Sequence, residues 1–289
     1  MVDVPQLHFP SAYLLPTAPL VHAERVETAD GAKIATFVHA RTDTGLSDAL
    51  AQASGVALLL HGNGEEHGIF GPTIDALCAA GLAVVAIDSR AQGRSTRGSA
   101  PLTYELMASD ALAVLDHLDI EAAHLVGFSD GAIEALLIAR DHPERALTLL
   151  SIGANLTPDG VDDSFDMEGA ATRLRDWVNY WTHGKGAEKS VDTSLLNPPL
   201  DEAARTAELL HLMVVEPHID AASLAAIACP TTVMAGEFDE IDRAQTELIC
   251  RSIPGATLEI VEGCGHTLPK EAPGRVSEAA LEVIARAGA

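Results

Sequence analysis

Six short apolar runs punctuate the chain, at residues 56–60, 82–87, 123–126, 146–150, 231–235 and 257–261. The first two are apolar throughout and the others largely so, the pattern of strands whose two faces are both covered. Longer stretches with helical spacing of their apolar positions separate them. That alternation predicts an α/β fold, with a mostly parallel central sheet and helices on both faces. The rhythm breaks between residues 157 and 223, which read as helical and polar, with loop signals at Thr182-His183-Gly184-Lys185-Gly186 and Asn197-Pro198-Pro199. The expected organisation is therefore a core of residues 1–156 and 224–289, interrupted by a helical insertion of residues 157–223.

The run at 123–126 leads straight into Gly127-Phe128-Ser129-Asp130-Gly131, and an apolar helical stretch begins directly afterwards. A strand, a sharp turn carrying serine and then a helix is the context of a nucleophile elbow. The serine must take up a cramped backbone conformation that lifts its hydroxyl clear of the sheet, and flanking glycines permit that packing. The helix beginning at Asp130 aims free N–H groups at the place where an oxyanion would form. Ser129 is the candidate nucleophile.

On a sheet that carries its serine this way, the order is serine, acid, histidine. The run at 231–235 ends in Gly236-Glu237-Phe238-Asp239, and the run at 257–261 is followed by Gly263-Cys264-Gly265-His266. Of 12 histidines only His266 lies beyond Asp239, so the base has one candidate. Asp239 leads as the acid, because the turn after a strand's end is where a carboxylate can reach the imidazole. Glu237, Glu240 and Asp242 share its loop, and Asp159 follows an earlier strand. His61-Gly62-Asn63-Gly64 follows the run at 56–60 and offers the second oxyanion donor. The expected pair is the backbone N–H of Asn63 and that of Asp130, with His61 bracing the loop. His61, Glu65, Glu66 and His67 have metal-ligating chemistry, but their spacing matches no zinc signature, and neither a metal nor an organic cofactor is expected.

These landmarks, together with Asp88-Ser89-Arg90-Ala91-Gln92-Gly93-Arg94-Ser95, resemble in order and extent those of the α/β-hydrolase superfamily. The Ser-Asp-Gly elbow is similar to that of capped bacterial serine hydrolases and of the valacyclovir-hydrolase-like branch. The resemblance implies an α/β-hydrolase fold with a cap at the insertion, and hydrolysis of an ester or related acyl compound through an acyl-serine. Perhydrolysis, lactone opening or C–C bond hydrolysis by the same triad, or a ligand sensor on the same fold, are the alternatives. Two departures stand out: Ala91 and Ala132 each replace a glycine usual in the superfamily. A serine at position 129 disfavours the dehalogenases and epoxide hydrolases of this fold, which use aspartate there.

At 289 residues and 47% hydrophobic, the chain can build one such domain and its insertion. A formal net charge of -24 disfavours nucleic acid and anionic membranes as partners, leaving a small acyl substrate. A cationic substrate would find anchors in Asp162, Asp163 and Asp166. Trp177 and Trp181, one helical turn apart, are expected to pack the insertion onto the core or to line a pocket. Cysteines at 78, 229, 250 and 264 show no paired spacing, and no apolar leader opens the chain; both suit the cytoplasm.

Overall fold

The computed structural model describes residues 4–5, 13–162 and 166–288. Its strands are β1 (Leu20–Glu27), β2 (Lys33–His39), β3 (Val56–Leu60), β4 (Ala83–Ile87), β5 (Ala123–Phe128), β6 (Ala146–Ile152), β7 (Thr231–Gly236) and β8 (Thr257–Val261). The helices are α1 (Leu46–Gln52), α2 (Gly71–Ala79), α3 (Tyr104–His117), α4 (Asp130–Asp141) and α5 (Met167–Thr182). They continue with α6 (Leu200–Val215), α7 (Arg243–Ser252), α8 (Leu268–Glu271) and α9 (Pro273–Arg286).

All eight strands form one sheet in the order β1-β2-β4-β3-β5-β6-β7-β8. Pairing is parallel from β4 through β8, whereas β1 and β2 join antiparallel at one edge. Successive side chains point to opposite faces, and here both faces are covered. Leu58, Leu60, Leu125 and Leu149 pack beneath α3, α4 and α7. Their neighbours Leu59, Val126, Leu150 and Ile152 pack beneath α2 and α9. This two-sided burial is why these strands read as continuous apolar runs.

The register places the C-terminal ends of neighbouring strands side by side. Leu60 pairs with Gly127, Phe128 with Ile152 and Gly236 with Val261. The loops after β3, β5, β7 and β8 therefore emerge on one edge, where open α/β sheets bind ligands.

Helices α5 and α6 lie between β6 and β7 and pack against each other around Ala171, Leu174, Trp177, Ala203, Ala207 and Leu210. This small core is separate from the two that cover the sheet. Trp177 is buried, donates its indole N–H to the Pro198 carbonyl at 3.1 Å, and meets Trp181 edge-on at 5.7 Å. The tryptophans thus join the insertion's helices to each other and not, as one expectation had it, to the sheet domain. Neither lines the main cavity.

Candidate active site

Ser129 sits between β5 and α4 with φ 54° and ψ -119°, a left-handed conformation that costs a non-glycine residue energy. The surroundings hold it there. Its N–H donates to the Ile152 carbonyl at 2.8 Å, and its carbonyl accepts from the Ala132 and Ile133 N–H groups. Side chains are excluded at both flanking glycines. A Cβ on Gly127 would lie 2.2 Å from the Gly131 carbonyl oxygen, and one on Gly131 would lie 2.1 Å from that of Leu60.

His266 follows β8 and faces Ser129, with Nε2 3.0 Å from the serine Oγ and Nδ1 2.7 Å from Asp239 Oδ1. A carboxylate can only accept, so Nδ1 carries the proton and Nε2 keeps its lone pair for the serine hydroxyl. Asp239 also accepts from the backbone N–H of Ile241 at 2.9 Å and of Gly236 at 3.3 Å. Burial alone would raise its pKa, but the His266 hydrogen bond and charge hold it below the usual aspartate value. For His266, burial pulls downward. The hydrogen bond and charge of Asp239, with Glu240 and Asp130 adding theirs, outweigh it and raise the imidazole above its ordinary value.

The structure brings Ser129, His266 and Asp239 together and leaves the other carboxylates apart. Asp159 is exposed. Glu237 accepts from the Gly263 N–H at 2.9 Å, bracing the turn ahead of the histidine. Glu271 does the same from the other side, accepting from the N–H groups of Gly265 at 2.7 Å and Thr267 at 3.0 Å.

The loop after β3 abuts the elbow so closely that a Cβ on Gly62 would lie 2.9 Å from the Ser129 Cβ. The Gly62 carbonyl accepts from His61 Nδ1 at 2.8 Å and from the Glu65 N–H at 3.2 Å. A trans peptide points its C=O and N–H in opposite directions, so the Asn63 N–H is turned away from His61. His61 is wholly buried, with burial lowering its pKa, and its Nε2 accepts from the Ser89 N–H at 2.9 Å. Both ring nitrogens are thus committed to backbone.

Beside the serine, Asp130 is buried. Its carboxylate accepts from Asn63 Nδ2 at 2.9 Å and from the Tyr104 hydroxyl at 2.8 Å. Burial pushes its pKa up to about 6, against the pull of those two hydrogen bonds. Asn63 Nδ2 also reaches the Leu209 carbonyl in α6 at 3.1 Å, linking the β3 loop to the insertion.

Of the four residues with metal-ligating chemistry, Glu65 pairs with Lys270 and His61 is committed as described. Glu66 and His67 lie near Asp88, close enough for one ion to span the three, but His67 Nδ1 already lies 2.7 Å from Asp88 and Glu66 accepts from the Tyr13 hydroxyl. Among the suggested cationic anchors, Asp162 lines the cavity and Asp163 lies outside the described residues. Asp166 instead caps α5 by accepting from the Gly169 N–H. Tyr104, Glu271 and Gln92, whose side chain accepts from the Gly64 N–H, were not singled out by the sequence.

These groups open into a cavity of about 760 Å³. Met167 of α5 and Leu209, Leu210 and Met213 of α6 form an apolar wall, while Glu202, Glu216 and Glu240 add carboxylates.

The model of the alpha/beta hydrolase family matches residues 57–279, from β3 into α9. A rhodomycin D methylesterase from Streptomyces sp. is 31% identical over 238 residues, covering 68% of this chain and 79% of that protein. A putative carbamate hydrolase from Caulobacter sp. is 26% identical over 246 residues, covering 78% of this chain and 89% of its own length. In fold, a thermophilic esterase from Thermogutta terrifontis superposes with a TM-score of 0.69 at 23% identity, covering 93% of this chain and 100% of the esterase. With eight strands in one mostly parallel sheet and a family match over most of its length, the chain belongs to the alpha/beta hydrolase family and is a hydrolase of the esterase type.

Proposed function

We propose that the protein hydrolyses an ester or related acyl substrate through a Ser129–His266–Asp239 triad and an acyl-serine intermediate. The observation that carries this reading is the unbroken chain of contacts from Ser129 Oγ through the imidazole to Asp239, at 3.0 and 2.7 Å. Ser129 Oγ attacks the carbonyl carbon as His266 Nε2 takes its proton, and Asp239 holds the resulting imidazolium. The carbonyl electrons move onto oxygen, where the N–H groups of Asn63 and Asp130 receive the charge. One such donor is typically worth about 3 kcal/mol of barrier. Collapse expels the alcohol, which leaves with the imidazolium proton. His266 then deprotonates a water that attacks the acyl-serine, and on collapse Ser129 Oγ leaves with the proton held by His266 as the acid is released.

In this reading residues 157–223 form a cap that selects the substrate, while the core supplies the chemistry. Support comes from the insertion's own small core and from the side chains that α6 gives to the cavity. Carboxylates along the wall favour a neutral or cationic ester over an anionic one. Four free cysteines suit a reducing compartment such as the cytoplasm. Among the described residues no helix is long and apolar enough to cross a membrane.

The test is covalent labelling with a fluorophosphonate. One serine should react, and Ser129→Ala should abolish both labelling and ester turnover. Turnover should also survive dialysis against a strong chelator. Labelling that persists in Ser129→Ala would refute the assignment of the nucleophile, and a loss of turnover restored by zinc would refute the metal-free mechanism.

A further inference from the structure

The two residues whose N–H groups are proposed to receive the developing charge are also joined through their side chains. Asn63 stands in the loop after β3 and Asp130 opens α4, 67 residues apart in sequence. Asn63 Nδ2 donates to Asp130 Oδ2 at 2.9 Å, and its second hydrogen serves the Leu209 carbonyl at 3.1 Å. A carbonyl can only accept, so these contacts fix which end of the Asn63 amide is nitrogen. The other carboxylate oxygen, Oδ1, accepts at 2.8 Å from the hydroxyl of Tyr104, which is itself buried. Asp130 therefore cannot turn away from Asn63 without giving up both partners.

Nothing else of this kind spans the two donors. Around Asn63, the Gly62 carbonyl accepts from His61 Nδ1 and the Glu65 N–H, and the Gly64 N–H donates to Gln92 Oε1 at 2.6 Å. These bonds tie the loop to itself and to the loop after β4. The Ser129 N–H, for its part, ties the start of α4 to β6 through the Ile152 carbonyl. Among the described residues, Asn63 to Asp130 is the only hydrogen bond that crosses from residues 61–64 to residues 129–134. Packing between the two segments is close, since a Cβ on Gly62 would lie 2.9 Å from the Ser129 Cβ. Packing resists approach but not sliding, whereas a hydrogen bond is directional.

We infer that Asn63 is a positioning residue whose side chain, through Asp130, holds the two oxyanion donors at the spacing that the tetrahedral intermediate needs. The inference rests on the hydrolase reading of Ser129 and adds a side-chain clamp to it. Both N–H groups must aim at one oxygen, yet they come from separate segments of the chain. A donor lost outright costs about 10²–10³ in kcat, and a displaced one keeps part of its effect. Losing the clamp should therefore cost about tenfold. The cost falls on the transition state, where the oxygen carries charge, and leaves ground-state binding nearly untouched.

The experiment reads Asn63→Ala in three backgrounds: the wild-type protein, Asp130→Asn and Asp130→Ala. Asparagine at 130 keeps an acceptor for Asn63 and a partner for Tyr104, whereas alanine keeps neither. Both remove the carboxylate charge, so comparing them cancels its effect on His266. Should Asp130→Ala not fold, Asp130→Ser replaces it, its hydroxyl stopping one bond short of the carboxylate oxygens. Turnover is followed with para-nitrophenyl acetate at a pH above the acidic limb. Phenyl trifluoromethyl ketone reports on the oxyanion directly. Ser129 Oγ adds to its carbonyl carbon, the serine proton passes to His266, and the ketone oxygen takes the negative charge. In the wild type and in Asp130→Asn, Asn63→Ala should lower kcat and weaken the ketone by a common factor of about ten, with KM within about twofold. In Asp130→Ala, where no clamp is left to lose, it should change both by less than about twofold. Three results overturn the inference: equal losses in Asp130→Asn and Asp130→Ala, no loss in any background, or a loss carried by KM alone. Fluorophosphonate labelling of Ser129 is run alongside. Unlabelled wild-type protein would sink the hydrolase reading and this inference with it, whereas labelled protein giving any of those three results would sink this inference alone.

Discussion

The carboxylate of Asp239 lies 2.7 Å from Nδ1 of His266, and that contact sets the protonation of the base. Because the imidazole pKa is raised, the free base that accepts the serine proton is lost already at a pH above the ordinary histidine value. The acidic limb of kcat/KM should therefore have its midpoint above that value and rise with pH. Asp239→Asn removes the hydrogen-bonding charge, should move the limb downward, and can cost about 10⁴ in turnover. Glu240→Gln should move the limb slightly in the same direction, with plateau turnover within a few-fold. A pH–rate profile on both variants checks the order, and an unmoved limb in Asp239→Asn would contradict it.

Asp130 carries a stability cost that depends on pH. Its folded pKa of about 6 stands above the unfolded value, so the stability it permits is complete below the unfolded value and is lost as pH rises through the folded one. The loss amounts to roughly 3 kcal/mol. Asp130→Asn keeps the shape, and the Tyr104 hydroxyl can turn to accept from the new amide. The variant should gain on the wild type as pH climbs from about 4 to 8 in urea titrations. A difference in midpoint that does not vary with pH would show that the buried carboxylate is not what titrates.

What could be read from the sequence divides along physical lines. β3 to β6 were visible because both their faces are buried, and β5 runs on through Phe128, beyond the four-residue run that announced it. β1 and β2 were not foreseen: β1 lies at the sheet edge with most of its side chains exposed or half-exposed, so it offers no apolar run. The serine, acid and histidine were selected by order along the chain, and they stand within hydrogen-bond reach of one another. Tyr104 and Glu271 carry no motif, and Gln92 lies within the Asp88–Ser95 landmark with nothing to single it out. Tyr104 and Gln92 matter through partners that only folding brings close, as Tyr104 meets Asp130 across 26 residues of sequence and Gln92 meets Gly64 across 28. The direction of Trp177 was ambiguous for the same reason, since its partner helix begins at Leu200.

Ala91, one of the two departures from the superfamily pattern, is buried with φ 64°. The left-handed region costs alanine about 1–2 kcal/mol, while glycine gives back about 0.4–1 kcal/mol through its freer unfolded chain. Ala91→Gly should therefore leave the melting temperature unchanged or raise it by about 1–3 °C. A clear fall would mean that the Ala91 methyl group packs more usefully than its backbone strain costs.

Trp177 separates stability from chemistry. Its ring is buried between α5 and α6, contacts Trp181 and makes an indole hydrogen bond, yet it reaches neither the cavity nor Ser129. Trp177→Ala removes a large buried aromatic, a change that typically costs about 3–5 kcal/mol. That loss should fall on the insertion, because the two cores covering the sheet are built from other residues. Limited proteolysis should then cut first within residues 157–223, while fluorophosphonate still labels Ser129. Loosening α6 shifts Leu209, Leu210 and Met213 along the cavity wall, so preference across a graded acyl series should broaden before turnover of the shortest ester falls. Loss of serine labelling in step with the first cleavage would show that the insertion also holds the catalytic groups in place, and that its stability is not separable from the chemistry.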